Sequence, residues 1–348
     1  MTANSFRPAW WLPGAHLQTV WGRLARPHHL VSFRREVLET PDGDELVLDH
    51  LDGPLSDAGP HLIVLHGLEG SSYSVYVQGL LVHAAARGWP ATAVNFRSCA
   101  RDPQRITTML PNRRPRLYHS GETTDFGFVL ETLAARAPGV PLVAVGVSLG
   151  GNALLKWLGE HPAQRQVMAA ATISVPYDLA AGARNLERGI GRFYVRRFLG
   201  TLCPKAVDLA RRFPEAAQRI DVERALRSRT FWEFDDAVTA PLHGFAGADD
   251  YYTRSSSIGF VGRIHTPVLC VSAEDDPFLP SIVLSRLREA SSDAVELCRT
   301  QNGGHVGFVS GPAPWKYRAW AEEFVVDWLG NAWIQRPGGR AAVASVVR

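Results

Sequence analysis

The sequence predicts an α/β fold, a mostly parallel, doubly wound sheet with an inserted helical cap. Three observations carry that expectation. From residue 61 to 175, short apolar runs alternate with stretches of helical period, which sets parallel strands beside covering helices. The alternation stops at Pro176 and resumes at Pro267, with helix-like residues between. One apolar run, Leu142 to Val147, passes through Ser148 directly into a helical pattern formed by Leu154, Leu155, Trp157 and Leu158.

Residues 1–30 are rich in aromatics and proline (Trp10, Trp11, Pro13, Trp21, Pro27) and read as an arm packed on the core. A disordered tail would carry fewer aromatics. The core is expected over 31–175 and 266–334. Glu36–Thr40 and Glu45–His50 alternate around Pro41-Asp42-Gly43-Asp44, a hairpin with a D-G turn, and Leu51–Pro60 is a loop. His61–His66 is a continuous apolar run, as in a parallel strand covered on both faces. Tyr76, Leu80, Leu81 and Ala84 recur at helical spacing up to Gly88, and Ala91–Phe96 is the next strand. The loop 100–118 carries Arg101, Arg105, Arg113, Arg114 and Arg116; it reads as a solvated surface loop, with a substrate contact as the alternative. Phe126, Val129, Leu130 and Leu133 form a helical stripe, and Val167–Val175 is another strand.

Residues 176–265 are the expected cap. Arginines alternate there with acids such as Glu187, Asp208 and Glu215, the pattern of a solvated helix surface, and Phe193, Tyr194, Phe198, Phe213, Phe231, Trp232 and Phe234 are candidates to line an apolar pocket. Inserted between two sheet strands near their C-terminal ends, the segment would lie on the side where open α/β sheets bind ligands. After it come strand Pro267–Ser272, helix Ser281–Glu289, strand Ala294–Cys298 and an amphipathic helix Trp315–Trp328. Residues 335–348, small and Gly-rich, are expected to be disordered.

Of 348 residues, 46% are apolar and 20% charged, ordinary for a globular protein, and a net charge of +3 gives no reason to expect a nucleic-acid partner. No apolar run reaches about 18 residues, so no membrane span is expected. The N-terminus lacks a basic region followed by an apolar stretch, and Cys99, Cys203, Cys270 and Cys298 form no C-x-x-C pair. Together these predict a cytoplasmic enzyme with reduced thiols. There is no H-E-x-x-H, no phosphate-binding glycine loop and no dinucleotide fingerprint, so neither a metal nor a cofactor is expected.

The chemistry concentrates at Gly146-Val147-Ser148-Leu149-Gly150, a G-x-S-x-G between strand and helix. That is the nucleophile elbow of α/β-hydrolases: the serine sits on a strained turn, and the following helix aims N–H groups at any oxyanion formed there. A serine hydroxyl needs a base, and the base needs an orienting acid. Downstream, Asp275 and Asp276 follow one strand and His305 lies on a glycine-rich turn after the last strand, in the order Ser, acid, His. The turn Ala273-Glu274-Asp275-Asp276, ending in Pro280, selects Asp276, with Asp275 as the alternative. The oxyanion donors are expected to be the backbone N–H groups of Leu149 and Leu68.

Further runs resemble one family. Phe6-Arg-Pro with His16-Leu-Gln-Thr19, His66-Gly-Leu-Glu-Gly-Ser-Ser72, Asn95-Phe-Arg97, Tyr118-His-Ser-Gly121, Gly146 to Asn152, Asp275-Asp-Pro-Phe278 and Gly303-Gly-His-Val-Gly-Phe308 look like the motifs of the YheT-like α/β-hydrolases, over roughly residues 6–330. The resemblance implies a carboxylesterase acting on short- and medium-chain acyl esters through Ser148, Asp276 and His305. Some relatives act on phospholipids or make acyl esters from alcohols. Tyr118, His119 and Asn152 match motifs that suggest no chemical role. The leading expectation is a serine esterase working on a small-molecule acyl ester through an acyl-enzyme. The alternatives are acyl transfer to an alcohol, a lipase- or phospholipase-like activity, and a non-catalytic binding protein on the same fold. Acyl chain length, alcohol group and oligomeric state are not encoded in any motif.

Overall fold

The computed structural model describes residues 6–28, 30–51 and 59–335. The expected tail beyond Gln335 and most of the loop between 51 and 60 lie outside the described residues.

A helix α1 (Ala15–Ala25) precedes the hairpin β1 (Arg34–Glu39) and β2 (Glu45–Leu51), which closes through Gly43 at φ 74°. There follow β3 (His61–Leu65), α2 (Val75–Ala85), β4 (Ala91–Asn95), α3 (Thr124–Arg136), β5 (Leu142–Val147), α4 (Leu149–Glu160) and β6 (Val167–Ile173). The next helices are α5 (Leu179–Leu186), α6 (Gly191–Arg212), α7 (Pro214–Ala217), α8 (Val222–Arg227) and α9 (Phe231–Phe234). A π-helical turn, Asp235–Thr239, leads into α10 (Ala240–His243) and α11 (Ala248–Ser255). The chain finishes with β7 (Val268–Ala273), α12 (Ile282–Ala290), β8 (Val295–Thr300), β9 (Val309–Ser310), β10 (Arg318–Ala319) and α13 (Trp320–Gln335).

Eight strands form one sheet in the order β1-β2-β4-β3-β5-β6-β7-β8; β2 runs against its neighbours and the rest are parallel. Every residue of β4, β5 and β7 is buried, as their unbroken apolar runs require when helices cover both faces. On one face Leu80 and Leu81 of α2 meet Val325 and Leu329 of α13. On the other, Leu130 of α3, Leu154 of α4 and Leu287 of α12 share a cluster. The final helix differs from expectation. Residues 318–319 pair as β10 with β9, so the helix starts at Trp320 instead of Trp315 and runs on to Gln335.

The segment between β6 and β7 has its own apolar centre of Leu199, Leu202, Leu209, Phe234, Val238 and Leu242. It is tied to loops at the C-terminal ends of the strands. Lys205 of α6 pairs with Glu69 after β3, and Asn185 donates to the Pro277 carbonyl after β7. Asn152 of α4 donates from Nδ2 to the Ser120 and Ser255 carbonyls and accepts the Ser257 N–H on Oδ1, with its side chain fully buried. That explains the asparagine to which the sequence assigned no role: it joins the loop before α3, the helix after the serine and the end of α11. The N-terminal residues pack along the chain after β8, where Ala9 N–H bonds the Val309 carbonyl and the Trp11 indole N–H bonds the Gly311 carbonyl.

Candidate active site

Ser148 ends β5 and begins α4 with φ 52° and ψ −119°, a conformation costly for a non-glycine residue. Its neighbours must be glycine. A Cβ on Gly150 would meet the Leu65 and His66 carbonyl oxygens at 2.5 Å, and one on Gly146 would meet the Gly150 carbonyl oxygen at 2.6 Å. The Ser148 N–H donates to the Ile173 carbonyl at 2.8 Å, anchoring the turn to β6.

His305 stands on the turn after β8, and several elements hold that turn. Its N–H donates to Thr19 Oγ1 of α1, the Val306 N–H donates to Ser174 Oγ, and the Gly304 N–H donates to Asp275 Oδ1, each at 2.9 Å. The imidazole bridges two partners: Nε2 lies 3.0 Å from Ser148 Oγ, and Nδ1 lies 2.9 and 3.1 Å from the Asp276 oxygens. A proton on Nδ1 shared with Asp276 leaves Nε2 as the acceptor facing the serine. Asp276 Oδ1 also accepts the Phe278 N–H at 2.8 Å, and the Phe278 ring stacks on the imidazole at 4.0 Å. The two aspartates thus part: Asp276 meets the histidine, while Asp275 holds the backbone of the same turn.

Leu68 and Leu149 both face the cavity beside Ser148. Around Leu68, the Gly67 N–H donates to the Tyr76 hydroxyl and the Glu69 N–H to the Tyr118 hydroxyl, while the Leu68 N–H meets no acceptor among the described residues. His66 supports this loop from below, with Nδ1 donating to the Gly67 carbonyl at 2.7 Å and Nε2 accepting the Phe96 N–H. Burial pushes its pKa down to about 3, so it stays neutral and keeps both bonds. Tyr118, without an assigned role in the sequence, donates to Glu69 Oε1, the same oxygen that receives Lys205 at 2.5 Å. His119 accepts the Gly121 N–H on Nδ1 and packs against His243 with the rings tilted, their centroids 4.5 Å apart.

Ser148, Leu149, Leu68 and His305 open onto a cavity of about 900 Å³. Leu186, Phe198, Leu202 and Phe231 of the segment between β6 and β7 line it, with Phe193 at its exposed edge, whereas Phe213 and Trp232, also expected there, pack instead against the segment's own apolar clusters. Deeper polar groups include Asp235, whose pKa burial pushes up to about 6 although Thr239 and Tyr252 hydroxyls bond it. Thr19, Ser174 and the Glu69–Lys205 pair were not legible as site residues, because they act through spatial neighbours far away in the chain. Phe278 belongs to a motif run but carries no chemical signature.

The model of the α/β-hydrolase fold family matches residues 60–312, and the chain belongs to the α/β-hydrolases. Within them it falls with the YheT-like proteins: it is 37% identical to the Escherichia coli protein named "Putative esterase YheT" over 94% of each chain. "Phospholipase ABHD3" of Mus musculus is 30% identical over 90% of this chain and 75% of its own. "Monoacylglycerol lipase" of Saccharomyces cerevisiae is 30% identical over 79% of this chain and 59% of its own. Among solved structures, an esterase of Pyrococcus furiosus superposes with a TM-score of 0.54 over 86% of this chain and 89% of its own, at 14% identity, a likeness of fold alone. No helix among the described residues is long and apolar enough to cross a membrane.

Proposed function

We propose that the chain is a serine hydrolase of carboxylic esters with short to medium acyl groups. The observation that carries this is the His305 bridge, 3.0 Å to Ser148 Oγ on one side and 2.9 Å to Asp276 on the other. Ser148 Oγ attacks the ester carbonyl while His305 Nε2 takes its proton. Asp276 fixes the histidine tautomer and stabilises the imidazolium. The Leu68 and Leu149 N–H groups receive the oxyanion. His305 then protonates the leaving alcohol, and water, activated by the same histidine, releases the acid from the acyl-serine. The segment between β6 and β7 serves as the cap, and its Leu and Phe side chains accept the acyl chain. The names of the relatives, an esterase, a phospholipase and a lipase, support ester cleavage in general and leave the alcohol open.

The test is turnover of p-nitrophenyl esters of graded chain length, alongside fluorophosphonate labelling with the adduct mapped by mass spectrometry. Ser148→Ala is expected to lose up to about 10⁶-fold in kcat and all labelling. An adduct on Ser71 or Ser98, or no adduct and no turnover, would overturn the reading.

A further inference from the structure

Three arginines from three separate parts of the chain line the cavity: Arg23 of α1 and Arg197 of α6, both exposed, and half-buried Arg101 from the loop after β4. Among the described residues, none of the three forms an ion pair with a carboxylate. Of the acids that line the cavity, Glu69 pairs with Lys205 through Oε1 while its buried Oε2 meets no partner among the described residues, and Asp235 accepts the Thr239 and Tyr252 hydroxyls. Arg101 donates to the Glu69 carbonyl, at 3.4 Å. Burial, and then the nearby Arg197 and Arg101 charges, push the Arg23 pKa below its ordinary value. Gathering like charges without a counter-charge is unfavourable, and an anion placed among them relieves it through bidentate, charge-assisted bonds.

Their position relative to the reaction centre tells which part of a substrate they would meet. Arg23 lies one helical turn after Thr19, whose hydroxyl holds the His305 N–H. In the hydrolase reading, His305 is the group that hands a proton to the departing alcohol. Arg23 therefore belongs to the helix that holds the His305 turn, while Leu186, Leu202 and Phe231 offer apolar surface for an acyl chain.

We propose that Arg23, Arg101 and Arg197 form an anion-binding subsite, and that the preferred esters carry a phosphate or carboxylate on the alcohol. This rests on the hydrolase reading for the ester, though not for the anion. In the reaction the acyl–oxygen bond breaks, the acyl group passes to Ser148 Oγ, and the anionic alcohol leaves with the proton from His305. Water then yields the fatty acid and free serine.

Two measurements test it. Decyl phosphate has no ester and reports the subsite alone. Its binding by calorimetry is expected to weaken tenfold or more in the R23Q/R101Q/R197Q protein, and less in R23Q and R197Q singly. Equal binding, or no binding to either protein, overturns the subsite. For catalysis, kcat/KM is compared on decanoyl glycerol, decanoyl glycerol phosphate, decanoyl choline and a p-nitrophenyl ester with a terminal carboxylate on its acyl chain. The expected result is a preference for the glycerol phosphate ester that falls with added salt and disappears in the triple variant, with decanoyl glycerol turnover unchanged. A preference for the neutral, choline or acyl-carboxylate ester overturns the assignment to the alcohol side. If decyl phosphate binds through the arginines and no ester is cleaved, the subsite stands and the hydrolase reading fails.

Discussion

Ser148, Asp276 and His305 come from three different loops, and each is fixed by backbone chemistry as much as by its own side chain. The adjacent aspartates show how finely. Asp276 accepts from His305 Nδ1 at 2.9 Å, whereas Asp275 accepts the Gly304 N–H at 2.9 Å. Asp276→Asn is expected to lower kcat by about 10⁴-fold, because an amide favours the wrong histidine tautomer. Asp275→Asn keeps a carbonyl oxygen for Gly304 and is expected to cost about tenfold or less, mainly through local stability. The measurement is kcat/KM for both variants on one ester, with folding checked by circular dichroism. A larger loss at 275 would reverse the roles. Ser148 and His305 were legible as candidates because glycines at set spacing mark the turns that carry them. The choice between the aspartates rested on a turn pattern, since neighbouring residues of the same type look alike in sequence.

At the scale of elements, one ion pair ties α6 to the loop after β3. Lys205 and Glu69 have side chains only 10% and 6% exposed, and Lys205 also sits over the Tyr118 ring at 5.4 Å. Removing one member of such a pair leaves a buried charge unmatched, which costs about 3–5 kcal/mol. Lys205→Met should therefore destabilise the protein and loosen the loop that presents the Leu68 N–H. The double variant Lys205→Met with Glu69→Gln should recover most of the stability, because no charge is left stranded. Urea unfolding of the wild type and these variants checks this; a double variant no more stable than the single would show that the pair is not the cause. The arginine-rich helices illustrate the limit of pattern. Alternating acids along the segment suggested a solvated surface, and many pairs there are of that kind, such as Arg227 with Glu223 and Arg254 with Asp250. Arg197 is exposed as that reading expects but also lines the cavity, and half-buried Arg101 lines it from a loop read as surface. Which side of a helix meets a neighbouring element depends on packing between parts of the chain that no local spacing records.

For the molecule as a whole, buried histidines set a response to acid. Burial pushes His61 and His119 down to about 4, His66 to about 3 and His243 to about 2. The native protein keeps them neutral, while the unfolded chain takes up protons below about pH 6.5. Their contribution to stability is thus complete above pH 6.5 and is lost as pH falls from there, down to about 4 for His61 and His119, about 3 for His66 and about 2 for His243, at roughly 1.4 kcal/mol per pH unit for each histidine. Glu122 acts in the same direction at lower pH: against the effect of burial, Arg116 and His119 hold it down at about 2, and its stabilisation fades below the ordinary carboxylate range. The urea midpoint is expected to be clearly lower at pH 5 than at pH 7.5, with an unchanged slope. Equal midpoints would mean these rings are protonated or solvated in the native state.

By itself the sequence determined the α/β alternation, the interruption between Pro176 and Pro267, the serine on its elbow and the histidine on its turn. Each is written in local terms: a period of apolar residues, a glycine where backbones approach within a Cβ's reach, a proline where a strand resumes. The tertiary structure decided what depends on distant residues meeting. It brought Thr19 of the arm to the His305 backbone, set the Phe278 ring against the imidazole and gave Asn152 its three bonds across the molecule. It also turned Arg23, Arg101 and Arg197 toward one cavity. Hydrogen bonds and charge balance are satisfied by whichever groups the packed sheet and helices bring within about 3 Å, and separation along the chain does not reveal those partners.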